Sequence, residues 1–140
     1  MTFDTHRFAT GLIRDATPEH ATFYSLQLRG DAPLHLPCVV ISVTGATDVP
    51  NGRLYDAANF VLNVQVYGED VTDTYDLSLQ IYDTVCNFWR TGYRNDYGYI
   101  SHIRDNSTGP VQTPSTLDAD DSARFDLLFD LVARATTHKE

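Results

Sequence analysis

The chain has 140 residues, 42% of them apolar, and carries a formal net charge of −9. That is the length of one domain, with enough apolar material for its own core, so neither staples nor extensive disorder is expected. Ten basic against 19 acidic residues make a field that repels phosphate backbones and anionic lipid surfaces.

Taken in chain order, Thr5 to Ile13 reads as a short helix. Thr17-Pro18-Glu19 has the form of a second helix entry, with Thr as cap and Pro in the first turn. Phe23 to Leu28 reads equally as a strand, because Tyr24, Leu26 and Leu28 alternate. After Pro37 a strand is expected, with Val39, Ile41 and Val43 on one face and Cys38, Val40, Ser42 and Thr44 on the other. A connection over 46–58 holds the turn signal Pro50-Asn51-Gly52. The next strand runs from Phe60 to Tyr67, with Phe60, Leu62, Val64 and Val66 sharing a face, and the pair suggests an extended antiparallel hairpin.

A helix is predicted from Thr72 to Arg90, acidic at its start (Asp70, Asp73, Asp76), basic at its end (Arg90, Arg94) and terminated by Gly92. Its apolar residues, among them Leu77, Ile81, Val85, Phe88 and Trp89, cover more than the ~100° stripe of a helix resting on one sheet. A second surface must therefore cover part of it: the N-terminal segment of the same chain, or a neighbouring subunit. Tyr97, Tyr99, Ser101 and Ile103 alternate as a strand. The polar stretch from Asp105 to Asp121, with Gly109, Pro110 and Pro114, reads as a long exposed loop. Phe125, Leu127, Phe129, Leu131 and Ala133 form one face of a closing strand. The sum is a single domain over residues 1–140 of the α+β class. It would hold a mainly antiparallel or mixed sheet of about four strands, an extended hairpin, and roughly two or three helices packed on one face.

The motifs of catalysis are absent from the sequence. There is no GxxxxGK[ST] or GxGxxG phosphate loop, no GxSxG elbow and no HExxH. The five histidines (6, 20, 35, 102 and 138) are scattered, and Cys38 and Cys86 read as reduced, buried thiols of a protein made in a cytoplasm. The longest apolar run, Cys38 to Ile41, is far short of the ~20 residues of a bilayer span. A calcium loop beginning at Asp118 would need Gly at its sixth position and Glu at its twelfth, where Ala123 and Phe129 stand. What remains is an acidic loop end, Asp118-Ala119-Asp120-Asp121, solvated or paired with Arg124. Trp89, Arg90, Tyr93, Arg94, Tyr97 and Tyr99 interleave aromatics with arginines, a mixture found at single-strand-binding surfaces and in the centres of protein interfaces. The acidic balance opposes the first, and a helix end, turn and strand face account for the pattern structurally.

One resemblance follows from the order of these segments. The strand Phe60-Val61-Leu62-Asn63-Val64-Gln65-Val66-Tyr67-Gly68 runs directly into Glu69-Asp70 and an aromatic-rich helix. A Tyr/Ile strand, a Pro-containing loop and a terminal strand from Arg124-Phe125 come next. Over residues 37–135 this pattern resembles the tail terminator (tail completion) proteins of long-tailed bacteriophages. The resemblance implies a small α+β protein whose sheet carries helices on one side and which is no enzyme. It implies a homo-oligomer, a hexameric ring that caps the tail tube, ends its growth and presents the head-joining surface. Its partners would be the major tail tube protein and the head connector protein. DNA would pass through without specific binding, and no membrane or cofactor would be involved. The protein would be assembled in the host bacterial cytoplasm and reside in the virion at the tail–head junction. Under this reading the 46–58 and 105–121 loops supply the contacts, with Arg53, Tyr55, Asp56, Asp118, Asp120, Asp121 and Arg124 as candidate interface residues. The alternatives are another head–tail joining protein, a small-molecule or regulatory binding module, or a small hydrolase. The hydrolase would use a divalent ion held by Asp118, Asp120 or Asp121 with His102.

Overall fold

The computed structural model describes residues 4–24, 36–48, 57–113 and 123–135. The first helix, α1 (Thr5–Ala16), is capped by Asp4, whose carboxylate accepts from the Arg7 N–H at 3.0 Å. Phe8, Ala9, Leu12, Ile13 and Ala16 recur at helical spacing and are all buried, so α1 lies on the sheet along one stripe. Thr17 ends this helix instead of opening another. Its hydroxyl donates to the Ile13 carbonyl at 2.6 Å and its N–H to the Arg14 carbonyl at 3.2 Å. Pro18 then forms a single turn to Ala21, and β1 (Thr22–Tyr24) begins at once. The expected second helix entry is thus a helix exit, because the Thr hydroxyl satisfies carbonyls behind it. The remainder of the Phe23–Leu28 segment lies outside the described residues.

β2 (Cys38–Asp48) and β3 (Ala57–Gly68) form the expected long antiparallel hairpin, paired from Cys38↔Tyr67 to Asp48↔Ala58 with an irregularity between Thr44 and Thr47. α2 (Val71–Thr91) follows β3 after two residues. Asp70 caps it, accepting from the Asp73 N–H at 2.9 Å, and Gly92 closes it in the left-handed region at φ 76°. β4 (Tyr99–Ile103), β5 (Thr108–Thr113) and β6 (Ala123–Arg134) complete a mixed sheet. β6 runs antiparallel to β3 on one side and to both β4 and β5 on the other. β1 pairs in parallel with β2.

The strands of the described residues number six, where about four were expected. The two extra ones are β1 and β5. β5 falls within the stretch expected as a loop, where Gly109 and Pro110 interrupt the strand pattern. It pairs with β6 alone and its register shifts between Thr108 and Val111, where an edge strand tolerates a residue without an N–H.

Both described helices cover the same face. Val39 and Ile41, then Phe60, Leu62, Val64 and Val66, then Leu127, Phe129 and Leu131 point into that layer and are buried. Full burial of each large side chain stabilises the fold by roughly 1.5–3 kcal/mol. Phe8 meets Phe60 edge-on at 6.4 Å between centroids. The broad apolar surface of α2 is divided between two neighbours. Leu77, Ile81 and Val85 are buried at its centre. Tyr75 and Tyr82 pack on Phe125 and Phe129 of β6 at 5.5 and 5.3 Å. On the other side α1 provides the cover. Tyr93, stacked on Phe88 at 4.4 Å, donates its hydroxyl to Asp15 at 2.5 Å, and Asn95 donates to the Phe8 carbonyl at 3.1 Å. The N-terminal segment is the second surface that the helix pattern required. Cys38 and Cys86 are both free, and they lie on opposite faces of the sheet, Cys38 beside Val40 and Tyr67, Cys86 against the helix-side core.

Candidate functional site

Of the seven residues singled out for contacts, Arg53, Tyr55, Asp56, Asp118, Asp120 and Asp121 lie outside the described residues. Arg124 is described. It stands near the start of β6, opposite Tyr67 of β3. Strand alternation puts it on the face away from the helices, two residues before Asp126. Its Nε and Nη2 donate to the two Asp126 oxygens at 2.8 and 3.0 Å, and the guanidinium sits 5.7 Å from the Tyr67 ring centroid. The Asp126 hydrogen bonds hold its pKa above the ordinary value for arginine, against an opposing pull from burial. Its described partner is therefore Asp126 on the same strand, and its side chain is only 13% exposed. Tyr67 in turn donates its hydroxyl to Gln65 at 3.0 Å. The pair makes a fixed polar wall beside the buried Cys38, Val40 and Tyr67. His102, the histidine considered for a hydrolase, meets the edge of Trp89 at 5.4 Å. Among the described residues no group of three or more His, Cys, Asp or Glu side chains is arranged to hold a metal ion.

Among the described residues, carboxylates without a cation gather at one end of the sheet and arginines without a carboxylate at the other, where exposed Asp96 also stands. Because α2 doubles back antiparallel to β3, its N-terminus lies at the Gly68–Ala123 end of the sheet and its C-terminus at the Ala57–Arg134 end. At the first end a cleft of about 450 Å³ opens between the start of α2, the Leu36-Pro37 segment and His20. Leu36, Pro37 and Leu77 line it with apolar surface, and Glu69, Asp70, Asp73 and Asp76 add four carboxylates. Asp70 is committed to capping. No cation of the described residues pairs with Glu69, Asp73 or Asp76.

At the second end Arg94 lies 4.5 Å from the Tyr99 ring centroid and Arg7 6.0 Å from that of Tyr97. Tyr99 is also the cross-strand partner of Arg134. Asn95 shapes this end by accepting from the N–H groups of Tyr97 and Gly98 at 2.9 and 3.1 Å, which holds Tyr97 outward, 40% exposed. Arg90, Arg94 and Arg134 have no carboxylate partner among the described residues.

The interleaved Trp89–Tyr99 stretch thus is the helix end, turn and strand face that its pattern suggested, and it also forms a cationic, aromatic tip. The acidic cleft was not foreseen as a unit. Its only sequence signal was the recurrence of Asp at 70, 73 and 76, which reads as ordinary helix-start chemistry. No helix of the described residues is long and apolar enough to cross a membrane. No protein-family model matches the chain, and no curated protein matches it.

Proposed function

We propose that this chain is a phage structural protein of the tail terminator kind, forming a ring that caps the tail tube, ends its growth and offers the head-joining surface. The observation that carries the reading is the layout of the α+β fold. A long β2–β3 hairpin runs straight into an aromatic helix, the closing strand β6 inserts beside β3, and both described helices lie on one face. The resemblance implied an α+β fold with the helices on one side of the sheet; it did not give the place of β6 beside β3. Further support comes from the segregated charge. A subunit with unlike ends is suited to a repeated head-to-tail contact, which closes into a ring when the rotation between copies allows. In this role the subunit is hexameric, contacts the major tail tube protein and the head connector protein, and lets DNA pass a predominantly acidic protein without holding it. It belongs in the virion at the tail–head junction.

The test is co-expression with a major tail tube protein from the same genome, followed by electron microscopy. The reading expects tubes of defined length bearing one ring at an end. Tubes of unchanged length that carry no added density would refute it.

A further inference from the structure

We propose that the cleft at the start of α2 is the docking groove for the arginine–tyrosine tip of a second copy of this chain. The proposal deepens the ring reading and rests on it for the closure of successive contacts. The groove has an apolar floor of Leu36, Pro37 and Leu77 and a rim of Glu69, Asp73 and Asp76. Its volume of about 450 Å³ falls within the range of roughly 300–1,000 Å³ typical of pockets that engulf a ligand. The three rim carboxylates lack a cation among the described residues, and Asp73 and Asp76 lie exposed. A partner must therefore present cations around an apolar or aromatic centre.

The other end of the same molecule presents that chemistry. Tyr97 projects there with Arg7 against its ring, and Arg94 lies against Tyr99 beside it. Arg7 already has Asp4 at 3.6 Å, so Arg94 is the stacked arginine whose N–H groups remain for a partner's carboxylate, and Tyr and Arg are among the side chains most enriched at the energetic centres of interfaces. Two clefts would oppose carboxylates, and at the tip Arg90, Arg94 and Arg134, which have no carboxylate partner among the described residues, outnumber exposed Asp96, so neither end matches itself well. The contact is therefore heterologous, cleft to tip, and each copy retains one unused cleft and one unused tip until a ring closes. The match in sign also steers the approach of the two copies, making association sensitive to salt.

The test uses the full chain and four samples, studied by native mass spectrometry and sedimentation velocity. They are the wild type, a cleft variant (Glu69→Arg with Asp76→Arg), a tip variant (Arg7→Glu with Arg94→Glu), and an equimolar mixture of the two variants. The substitutions spare both helix caps, and circular dichroism confirms that each variant folds. The wild type should assemble at low salt and weaken between about 0.1 M and about 1 M salt, where the screening length falls from roughly 10 Å to roughly 3 Å. Each variant alone should associate at least on the order of tenfold more weakly, since the altered end no longer opposes the other end in sign. Mixing them should restore assembly, with the two variants alternating.

A wild type that stays monomeric at low salt would overturn the proposal. So would variants that assemble as the wild type does, or folded variants whose mixture fails to recover. Failure here remains distinct from failure of the terminator reading. Tubes capped normally by the charge-reversed variants would sink the docking groove and leave the terminator. Charge-dependent assembly without any effect on tubes would do the reverse.

Discussion

Replacing Gly11 by alanine in α1 should destabilise the protein, although the same change in an open helix would stabilise it by about 1 kcal/mol. The reversal comes from Asn95. A Cβ built on Gly11 falls 2.8 Å from Asn95 Nδ2, too close for the side chain to stay where it is. Asn95 is held there by donating to the Phe8 carbonyl at 3.1 Å and to the Tyr93 hydroxyl at 3.3 Å. It also accepts from the Tyr97 and Gly98 N–H groups at 2.9 and 3.1 Å. Such bonds contribute about 1 kcal/mol each, so moving the amide far enough to lose two or three of them costs about 2–3 kcal/mol. The net effect of Gly11→Ala is then a loss of about 1–2 kcal/mol. In an Asn95→Ala background the obstruction is gone, and Gly11→Ala should stabilise by about 1 kcal/mol. The coupling of about 2–3 kcal/mol is in the range found for residues in direct contact. Urea unfolding of the four variants at one fixed protein concentration measures it, since assembly makes apparent stability concentration-dependent. If Gly11→Ala stabilises the wild type and the Asn95→Ala background equally, the turn after α2 is not anchored on α1 as described.

Loss of the Asp70 cap by Asp70→Ala should cost about 1 kcal/mol in the same assay, because the Asp73 N–H loses its acceptor. Phe129→Ala should cost about 3–5 kcal/mol, as the ring is fully buried in the centre of β6 and stacked on Tyr82 at 5.3 Å. Burial pushes the Cys38 thiol up from 9.0 to about 11. The unfolded thiol ionises first, so the stability this group contributes is intact below pH 9 and is lost as pH rises toward 11. Cys38→Ala should therefore show a smaller fall in unfolding free energy over that interval than the wild type, and an identical fall would contradict the burial. Thiol labelling of the native protein should modify the half-buried Cys86 well before Cys38, which opens only on global unfolding.

The elements legible in the sequence are those whose pattern is long and whose neighbours agree with it. β6 alternates without a break from Phe125 to Ala133 and is buried on alternate residues throughout. α2 announces its ends through Asp70 and Gly92. In the sequence β1 stays ambiguous and β5 is not legible, because short edge strands draw their stability from the strand beside them. Thr22–Tyr24 exists by pairing with Cys38–Val40, and the Gly109-Pro110 stretch by leaning on β6. The candidate site was hidden for a related reason. Asn95 ties the tip to α1 across 87 positions of sequence, and the acidic cleft joins His20, Leu36-Pro37 and the first turns of α2. No local window contains either set. Arg124 stands at the start of the closing strand as expected, but its described partner is Asp126 on that strand, a bond the sequence pattern does not show.

Native mass spectrometry of the full chain across concentration at low salt tests the central claim most directly. The ring reading predicts a six-subunit species built without catalytic metal or cofactor, growing at the expense of smaller species as concentration rises. A stable dimer or tetramer that persists at every concentration would contradict it, since closed symmetry of that kind would use up the two unlike ends before a ring could form.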